Sequence, residues 1–241
     1  MKRVYGILRF LDDIFSRFTD ALIIMALLIA VYLFIDTKII FDGVSANKIT
    51  QYKPESSQAS RELVGKYKDY VFWLCIDDSA VDFPVVQGAT NADYLNKSPD
   101  GQYSLSGSIF LDSNNSSDLT DEYSILYGHH MQQKQMFGSL DDFADKKFFE
   151  THRLGYFLMK DGTWIEFETF AFGRTTTDER AVFTIDYPVD RVEWARDNAK
   201  IFMEPPSGDG NVVALTTCVS PSSTDRWYVF VKITDILEAK E

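Results

Sequence analysis

Few side chains in this sequence could serve as a nucleophile or as an acid–base catalyst. The 241 residues include two cysteines, Cys75 and Cys218, and three histidines. Cys218 ends the predicted strand VVALTTC and is followed by a polar loop. A cysteine at such a junction can be accessible and still held by a rigid scaffold, as a nucleophile requires. The alternative is a buried core thiol, which is the interpretation that the apolar run 72–76 favours for Cys75.

Two adjacent histidines and one arginine are the other candidates. His129 and His130 follow the predicted strand 124–127. If that strand continued through them, they would point to opposite faces, so they are poorly placed to bind one metal, and one of them could act as an acid–base catalyst. Arg226 opens the strand after Cys218, where a guanidinium could lower a thiol pKa or bind an oxyanion. The alternatives are surface histidines and a solvated arginine.

Short runs of apolar and β-branched residues predict the elements that would position these side chains. Many short strands with few helices favour a mostly-β barrel or sandwich. We expect a helix near 61–69, a second, amphipathic helix over 189–202, and a hairpin with a type I′ turn at Asp161-Gly162. The predicted strands are 70–76, 84–86, 108–111, 124–127, 155–160, 163–172, 211–217 and 226–233.

The sequence of the N-terminal region predicts a membrane anchor. Residues 18–35 are apolar apart from Asp20 and would form about 27 Å of helix, close to the thickness of a hydrocarbon core. Four basic residues precede this span and only Lys38 follows closely, so we expect a cytoplasmic tail (1–17), a transmembrane signal anchor (18–35), a linker (36–60) and an extracellular domain (61–241). In an exported domain, a Cys75–Cys218 disulfide is an alternative to a free nucleophile.

Composition excludes several function classes. The formal net charge of −12 argues against a nucleic-acid binder, because neutralising phosphates needs a basic surface. Two cysteines and three histidines leave little room for a disulfide scaffold or a zinc ribbon. We expect neither a metal nor a cofactor.

Five sequence blocks, taken in order, resemble class B sortases over roughly residues 61–236. Leu215-Thr216-Thr217-Cys218 followed by Arg226 is similar to the sortase signature Leu-x-Thr-Cys…Arg. Residues 127–130, followed by 136–140, resemble the histidine region of class B sortases. Residues 82–88, 91–96 and 107–112 resemble further blocks of the class.

The resemblance implies a closed β-barrel of about eight strands with peripheral helices, and a membrane-anchored cysteine transpeptidase of Gram-positive bacteria. It makes Cys218 the nucleophile that forms a thioacyl-enzyme, His129 the acid–base catalyst, and Arg226 the group that holds substrate and stabilises the oxyanion. His130 receives no role. Substrate contacts are expected from Thr217, Leu95 and Tyr127.

The implied partners are surface proteins that carry a C-terminal sorting motif, which the enzyme would cleave after Thr, and an amine of a peptidoglycan precursor. No Asp-Pro dipeptide occurs, so the lid tripeptide of pilin-polymerising class C enzymes is absent. A class B-like pilin polymerase, an extracellular cysteine peptidase and, outside the enzymes, an anchored adhesion or sensor domain are the alternatives.

Overall fold

The computed structural model describes residues 2–44, 53–54, 56–218 and 224–237. It divides into two units, Met1–Gly43 and Val44–Glu241. The first unit is helix α1 (Lys2–Val44), which contains neither glycine nor proline from 7 to 42. Within α1, Leu11–Lys38 is long and apolar enough to cross a membrane, and this stretch includes the predicted span 18–35. The helix thus continues into the predicted linker (36–60), of which residues 45–52 and 55 lie outside the described part.

The described residues of the second unit form nine β-strands. All but two neighbouring strand pairs are antiparallel, and β2–β3 and β4–β8 are parallel. The strands are β1 (Tyr70–Ile76), β2 (Asp82–Val86), β3 (Ile109–Leu111), β4 (Tyr123–Tyr127), β5 (Leu154–Met159), β6 (Trp164–Thr176), β7 (Ile201–Phe202), β8 (Val212–Cys218) and β9 (Asp225–Leu237).

Eight of these strands form a closed ring in the order β5-β1-β2-β3-β4-β8-β9-β6, because β5 also pairs with β6. The two-residue strand β7 adds to β6 beside β5. The predicted closed barrel of about eight strands with peripheral helices is therefore confirmed. In this ring β8, which carries Cys218, lies opposite β1, which carries Cys75.

Strand alternation produces an inner and an outer apolar layer. Along β8, Val213 and Leu215 belong to the large core cluster to which strands all around the ring contribute. Ala214 belongs to a second cluster, which also contains Tyr228 of β9. Trp194 covers this outer layer, with its ring 5.6 Å from that of Tyr228. The connection between β6 and β8 thus packs on the outside of the strands that lead to Cys218.

Short helices occupy the connections between strands. Ser56 caps α2 by accepting a hydrogen bond from the Ala59 amide, and Asp190 caps α5 in the same way through Val192 and Glu193. In the described part of this unit the α-helices are α2 (Ser57–Lys66), α3 (Lys146–Thr151), α4 (Arg180–Phe183) and α5 (Arg191–Asn198), and 3₁₀ helices span Gln132–Lys134 and Phe137–Ala144.

Two predicted local features were wrong. The helix expected over 189–202 ends at Asn198, because Ile201 and Phe202 instead pair with β6. The predicted type I′ turn at Asp161-Gly162 needs positive φ at both residues, but only Gly162 has one, at 94°. The Gly162 amide donates to the Met159 carbonyl at 2.9 Å, so the loop is a three-residue connection with glycine in the left-handed position.

Candidate active site

The end of strand β8 holds the predicted nucleophile. Cys218 is the last residue of β8, and its Cα partner in the antiparallel pair with β9 is Arg226. The backbone of Cys218 is described, whereas its side chain and residues 219–223 lie outside the described part. Antiparallel partners lie about 5 Å apart, so the strand register alone makes these two predicted site residues neighbours.

His129 lies on the other side of β8. Tyr127, the last residue of β4, pairs in parallel with Thr216, and the Gly128 amide donates to the Thr216 carbonyl at 3.2 Å. His129 therefore follows β4 by two residues, as Cys218 follows Thr216 by two. Adjacent strands are about 5 Å apart, so the ends of β4, β8 and β9 bring His129, Cys218 and Arg226 to one edge of the barrel.

The imidazole of His129 is half-buried and contacts a backbone group. Its Nε2 atom lies 2.8 Å from the carbonyl oxygen of Leu95, in the long connection between β2 and β3. Because a carbonyl can only accept a hydrogen bond, Nε2 is the donor. Sequence reasoning expected Leu95 to contact substrate and did not identify this role of its carbonyl. No sequence pattern reveals the direction of a backbone carbonyl in an irregular segment.

His130 contacts a different part of the chain. Strand β4 ends at Tyr127, so it does not run through the two histidines. The Nε2 atom of His130 lies 2.9 Å from Asp141 Oδ2, in the 3₁₀ helix Phe137–Ala144. Its side chain is only 13% exposed. His130 thus contacts an aspartate side chain, whereas His129 contacts a backbone carbonyl in the connection between β2 and β3.

Arg226 is half-buried at the start of β9. Its Nη1 atom donates to the carbonyl of Asp225 at 3.1 Å. The Asp225 carboxylate in turn accepts from Arg174 of β6, whose Nε lies 3.0 Å from Oδ2. Arg174 thereby ties the first residue of β9 to the neighbouring strand. A guanidinium held at this edge can stabilise negative charge that develops on a substrate oxygen.

The three residues predicted to contact substrate differ in exposure. Leu95 is 40% exposed, so its side chain is accessible to a ligand, and its carbonyl contacts His129. Tyr127 is half-buried, and its hydroxyl donates to Asp112 at 3.1 Å. Burial, and next the Asp112 carboxylate, raises the pKa of Tyr127, so this phenol stays protonated. Thr217 is 3% exposed, and its Oγ1 has no hydrogen-bond partner among the described residues.

Asp112 is a residue of this region to which sequence reasoning assigned no role. Its Oδ2 accepts both from the Tyr127 hydroxyl and from Asn91 Nδ2, at 3.1 and 2.8 Å. Asp112 is 5% exposed and directly follows β3. It therefore joins the end of β4 to the connection between β2 and β3. A buried acid after a strand is a weak sequence signal, because many such residues only cap loops.

Cys75 is a free thiol, which excludes the alternative Cys75–Cys218 disulfide. It is buried on β1, as its apolar neighbours predicted, but its Sγ also lies 3.2 Å from Lys53 Nζ. Burial is the main cause that raises the pKa of Cys75, and the Asp82 carboxylate adds to it. A protonated, enclosed thiol on the far side of the ring is unsuited to nucleophilic attack. Among the described residues, no three His, Cys, Asp or Glu side chains are grouped so as to hold a metal ion.

A closed barrel with a cysteine, a histidine and an arginine at one edge defines a class of cysteine acyl-transfer enzyme, and comparison with known proteins specifies the family. The family model described as "Sortase domain" matches residues 74–234. The chain belongs to the sortase family, whose members are cysteine transpeptidases.

Its relatives are class B enzymes. It is 31% identical to sortase B of Listeria monocytogenes over 195 residues, which cover 76% of this chain and 75% of that protein. It is 35% identical to sortase B of Staphylococcus aureus over 117 residues, which cover 48% of each chain, so this match spans about half the length of that relative. The crystal structure of a Streptococcus pyogenes class B sortase involved in pilus biogenesis has a TM-score of 0.67 and 32% identity, covering 72% of this chain and 96% of that one.

Proposed function

We propose that this class B sortase joins surface proteins to an amine through Cys218, His129 and Arg226. The observation that carries the proposal is the register: Cys218 pairs with Arg226 across β8 and β9, and His129 follows the strand on the other side of β8. A nucleophile, an acid–base catalyst and an oxyanion-stabilising group are what acyl transfer from an amide requires.

The reaction would proceed in two acyl transfers. The Cys218 thiolate attacks the carbonyl carbon of Thr in the sorting motif, forming a C–S bond, while Arg226 stabilises the oxyanion. Protonation by the His129 imidazolium then allows the C–N bond to break, and the amine leaves. In the second half an incoming amine gives its proton to neutral His129, a new C–N bond forms and the thiolate is released. Covalent catalysis thus divides one difficult amide exchange into two easier steps.

The substrates proposed are a protein with a C-terminal sorting motif and a peptidoglycan precursor with a free amino group. The 40% exposure of Leu95, whose carbonyl contacts His129, supports a role for its side chain as one wall of the peptide site. The closed environment of Thr217 favours support of the strand end rather than direct substrate contact, and Tyr127 would act through its ring, because its hydroxyl is bonded to Asp112.

Localisation follows from the N-terminal helix. We propose that α1 anchors the enzyme in the membrane, with the basic N-terminus in the cytoplasm and the catalytic domain outside. Such an anchor would keep the active site near both nascent surface proteins and cell-wall precursors. Tag-accessibility measurements at the two ends of the full chain in intact cells test this orientation.

The central experiment incubates the full chain in detergent micelles with a library of sorting peptides and an amine nucleophile. The library varies the first and last positions of the motif, since the motif itself is unknown. We expect an amide-exchanged product with at least one peptide, and none with Cys218→Ala. Cys75→Ser is the matched control and should retain turnover, because Cys75 lies opposite β8 in the ring.

The same assay separates the alternative functions. Hydrolysis without exchange, at saturating amine, would indicate a cysteine peptidase, and no turnover with any peptide would favour an adhesion or sensor domain. A pilin polymerase deserves a separate test, because the Streptococcus pyogenes relative is involved in pilus biogenesis. Use of a protein lysine in preference to a peptidoglycan-type amine would favour polymerisation over cell-wall anchoring.

A further inference from the structure

The hydrogen bond between His129 and Leu95 determines which imidazole nitrogen is available for chemistry. Nε2 lies 2.8 Å from the Leu95 carbonyl oxygen and donates to it. A neutral imidazole carries one proton, so a ring whose Nε2 is protonated has an unprotonated Nδ1. The bond thus selects the Nε2–H tautomer of neutral His129 and fixes the orientation of the ring.

We infer that the Leu95 backbone carbonyl is the orienting third group of the catalytic constellation, and that Nδ1 of His129 is the nitrogen that exchanges protons with the two amines. The inference rests on the proposed role of His129 as acid–base catalyst. In many cysteine and serine enzymes a side chain orients the histidine. Here a backbone oxygen occupies that position, which makes the connection between β2 and β3 part of the machinery.

Neighbouring hydrogen bonds show that this carbonyl is held in place. The carbonyls of Tyr94, Asn96 and Lys97 each accept a hydrogen bond from within the same connection: from the Ser108 amide at 3.0 Å, the Ser104 amide at 3.0 Å and the Ser108 hydroxyl at 2.7 Å. The carbonyls on both sides of Leu95 are therefore engaged locally, and that of Leu95 is the one directed to His129. A carbonyl fixed from both sides can orient an imidazole without reorganising during the reaction.

Gly107 makes this arrangement sterically feasible. Its φ is +60°, a conformation that favours glycine, and a Cβ added there would lie 2.5 Å from the Leu95 oxygen and 2.7 Å from the Tyr94 oxygen. A side chain at 107 must therefore displace the carbonyl that His129 contacts. Gly107 is a positioning residue in this view, because it acts on the reaction only through Leu95 and His129.

The proton inventory balances with one mobile proton. In the imidazolium both nitrogens are protonated, and the Nδ1 proton passes to the leaving amine as its C–N bond breaks. Neutral His129 then holds its remaining proton on Nε2, against Leu95, and Nδ1 takes a proton from the incoming amine as the new C–N bond forms and the C–S bond breaks. The Nε2 proton does not move in either step, because a carbonyl oxygen does not accept a full proton at neutral pH.

Histidine NMR tests the tautomer directly. The full chain, labelled with 15N-histidine and held in detergent micelles, contains three imidazoles, and the His129 signals are assigned by their loss in His129→Gln. At alkaline pH, where the imidazole is neutral, we expect the His129 signals to report the Nε2–H tautomer. A predominant Nδ1–H tautomer, or an even mixture of the two, would overturn the inference, even if the wild-type enzyme turns over normally.

A matched pair of glycine variants tests the role of the carbonyl. Gly107→Ala places a methyl group against Leu95, whereas Gly101→Ala in the same connection also has positive φ, at 82°, but meets open space. Misplacement of a catalytic group by about 1 Å can cost about 100-fold in rate, so we expect kcat to fall by about that factor in Gly107→Ala, with KM changed far less. Gly101→Ala should change kcat only slightly.

The comparison includes readouts that a loss of folded protein alone would not produce. Active molecules are counted by alkylation of Cys218, so that kcat refers to folded enzyme, and the His129 tautomer is measured in both variants. Equal kcat in the two alanine variants, or an unchanged Nε2–H population in an inactive Gly107→Ala, would contradict the inference. If Gly107→Ala does not fold, the His129 tautomer measured by NMR in the wild-type protein still tests the inference. Failure of the proposed function is distinct, because it would appear as no amide exchange by the wild type with any peptide, or as turnover that survives Cys218→Ala.

Discussion

Lys53 is expected to stabilise the catalytic domain through a partly buried polar cluster on the side of the barrel opposite β8. Its Nζ lies 3.0 Å from Asp82 Oδ2 and 3.2 Å from Cys75 Sγ. Trp73 Nε1 donates to the other oxygen of Asp82 at 2.6 Å. Burial alone would lower the pKa of Lys53, but the hydrogen bond to Asp82 raises it overall, so the ammonium stays charged at neutral pH.

The magnitude follows from exposure. A hydrogen bond to a charged partner contributes about 1.5–3 kcal/mol, and exposed ion pairs contribute about 0–1 kcal/mol. The side chains of Lys53 and Asp82 are 31% and 22% exposed, between these limits. Lys53→Met keeps most of the aliphatic stem and removes the charge, so it should lower the free energy of unfolding by about 1–2 kcal/mol. For a domain of this size that corresponds to a Tm lower by about 2–8 °C.

The assay is thermal unfolding of the full chain, followed by tryptophan fluorescence, for Lys53→Met, Asp82→Asn and the double variant. Asp82→Asn keeps an acceptor for Trp73, so it serves as the matched partner in a double-mutant cycle. We expect coupling between the two substitutions and unchanged kcat, since the cluster lies opposite β8. Fully additive effects, or a Tm equal to that of the wild type in Lys53→Met, would show that Lys53 and Asp82 do not stabilise the domain together.

Three further outcomes are expected. Arg174→Gln removes the pair with Asp225 and should lower kcat/KM by a few-fold at most, as an exposed pair allows, with less difference from wild type in high salt; a larger loss would mean that Arg174 itself binds substrate. Phe137 is 0% exposed, and its backbone amide donates to the His129 carbonyl at 3.1 Å. Because Phe137→Ala removes this buried ring, urea unfolding should show that the free energy of unfolding falls by about 3–5 kcal/mol. Because the pKa of Cys75 is raised in the folded state, its contribution to stability is present below the unfolded pKa of about 8.5 and decreases as the pH rises above it. Unfolding curves measured from pH 8 to 9.5 should therefore be less pH-dependent in Cys75→Ser than in the wild type.

Local pattern was sufficient for most of the strands. The apolar run at residues 70–76 predicted β1 with its bounds unchanged, and the predicted strand 211–217 differs from β8 by one residue at each end. These segments are continuous, apolar and bounded by turn residues, so their character does not depend on distant parts of the chain. The helix over 189–202 was wrong at its end because pairing of Ile201 and Phe202 with β6, a long-range interaction, outweighed the helical spacing.

In the candidate active site, too, some features could be predicted from local sequence and others depend on the tertiary fold. Cys218, His129 and Arg226 could be chosen from residue type, position at strand ends and family resemblance, without knowledge of any contact. The role of the Leu95 carbonyl could not be predicted from the sequence. A backbone carbonyl has no residue-type signature, and its direction depends on how the connection between β2 and β3 folds. Gly107 is similar: its position before a predicted strand permits positive φ, but only the structure identifies the carbonyl that lies against it.

Composition, periodicity and short motifs, together with the family resemblance that the motifs carry, are sufficient to predict the class of protein, the apolar N-terminal helix, most of the strands and the three candidate catalytic residues. The tertiary structure decided which strands meet. Closure of the ring through β5 and β6, and the parallel pairing of β4 with β8, place His129 beside Cys218 although 89 positions separate them in the chain. Strand register is a choice among many long-range pairings that local patterns leave nearly equal, and burial of the inner and outer apolar layers together selects one of them.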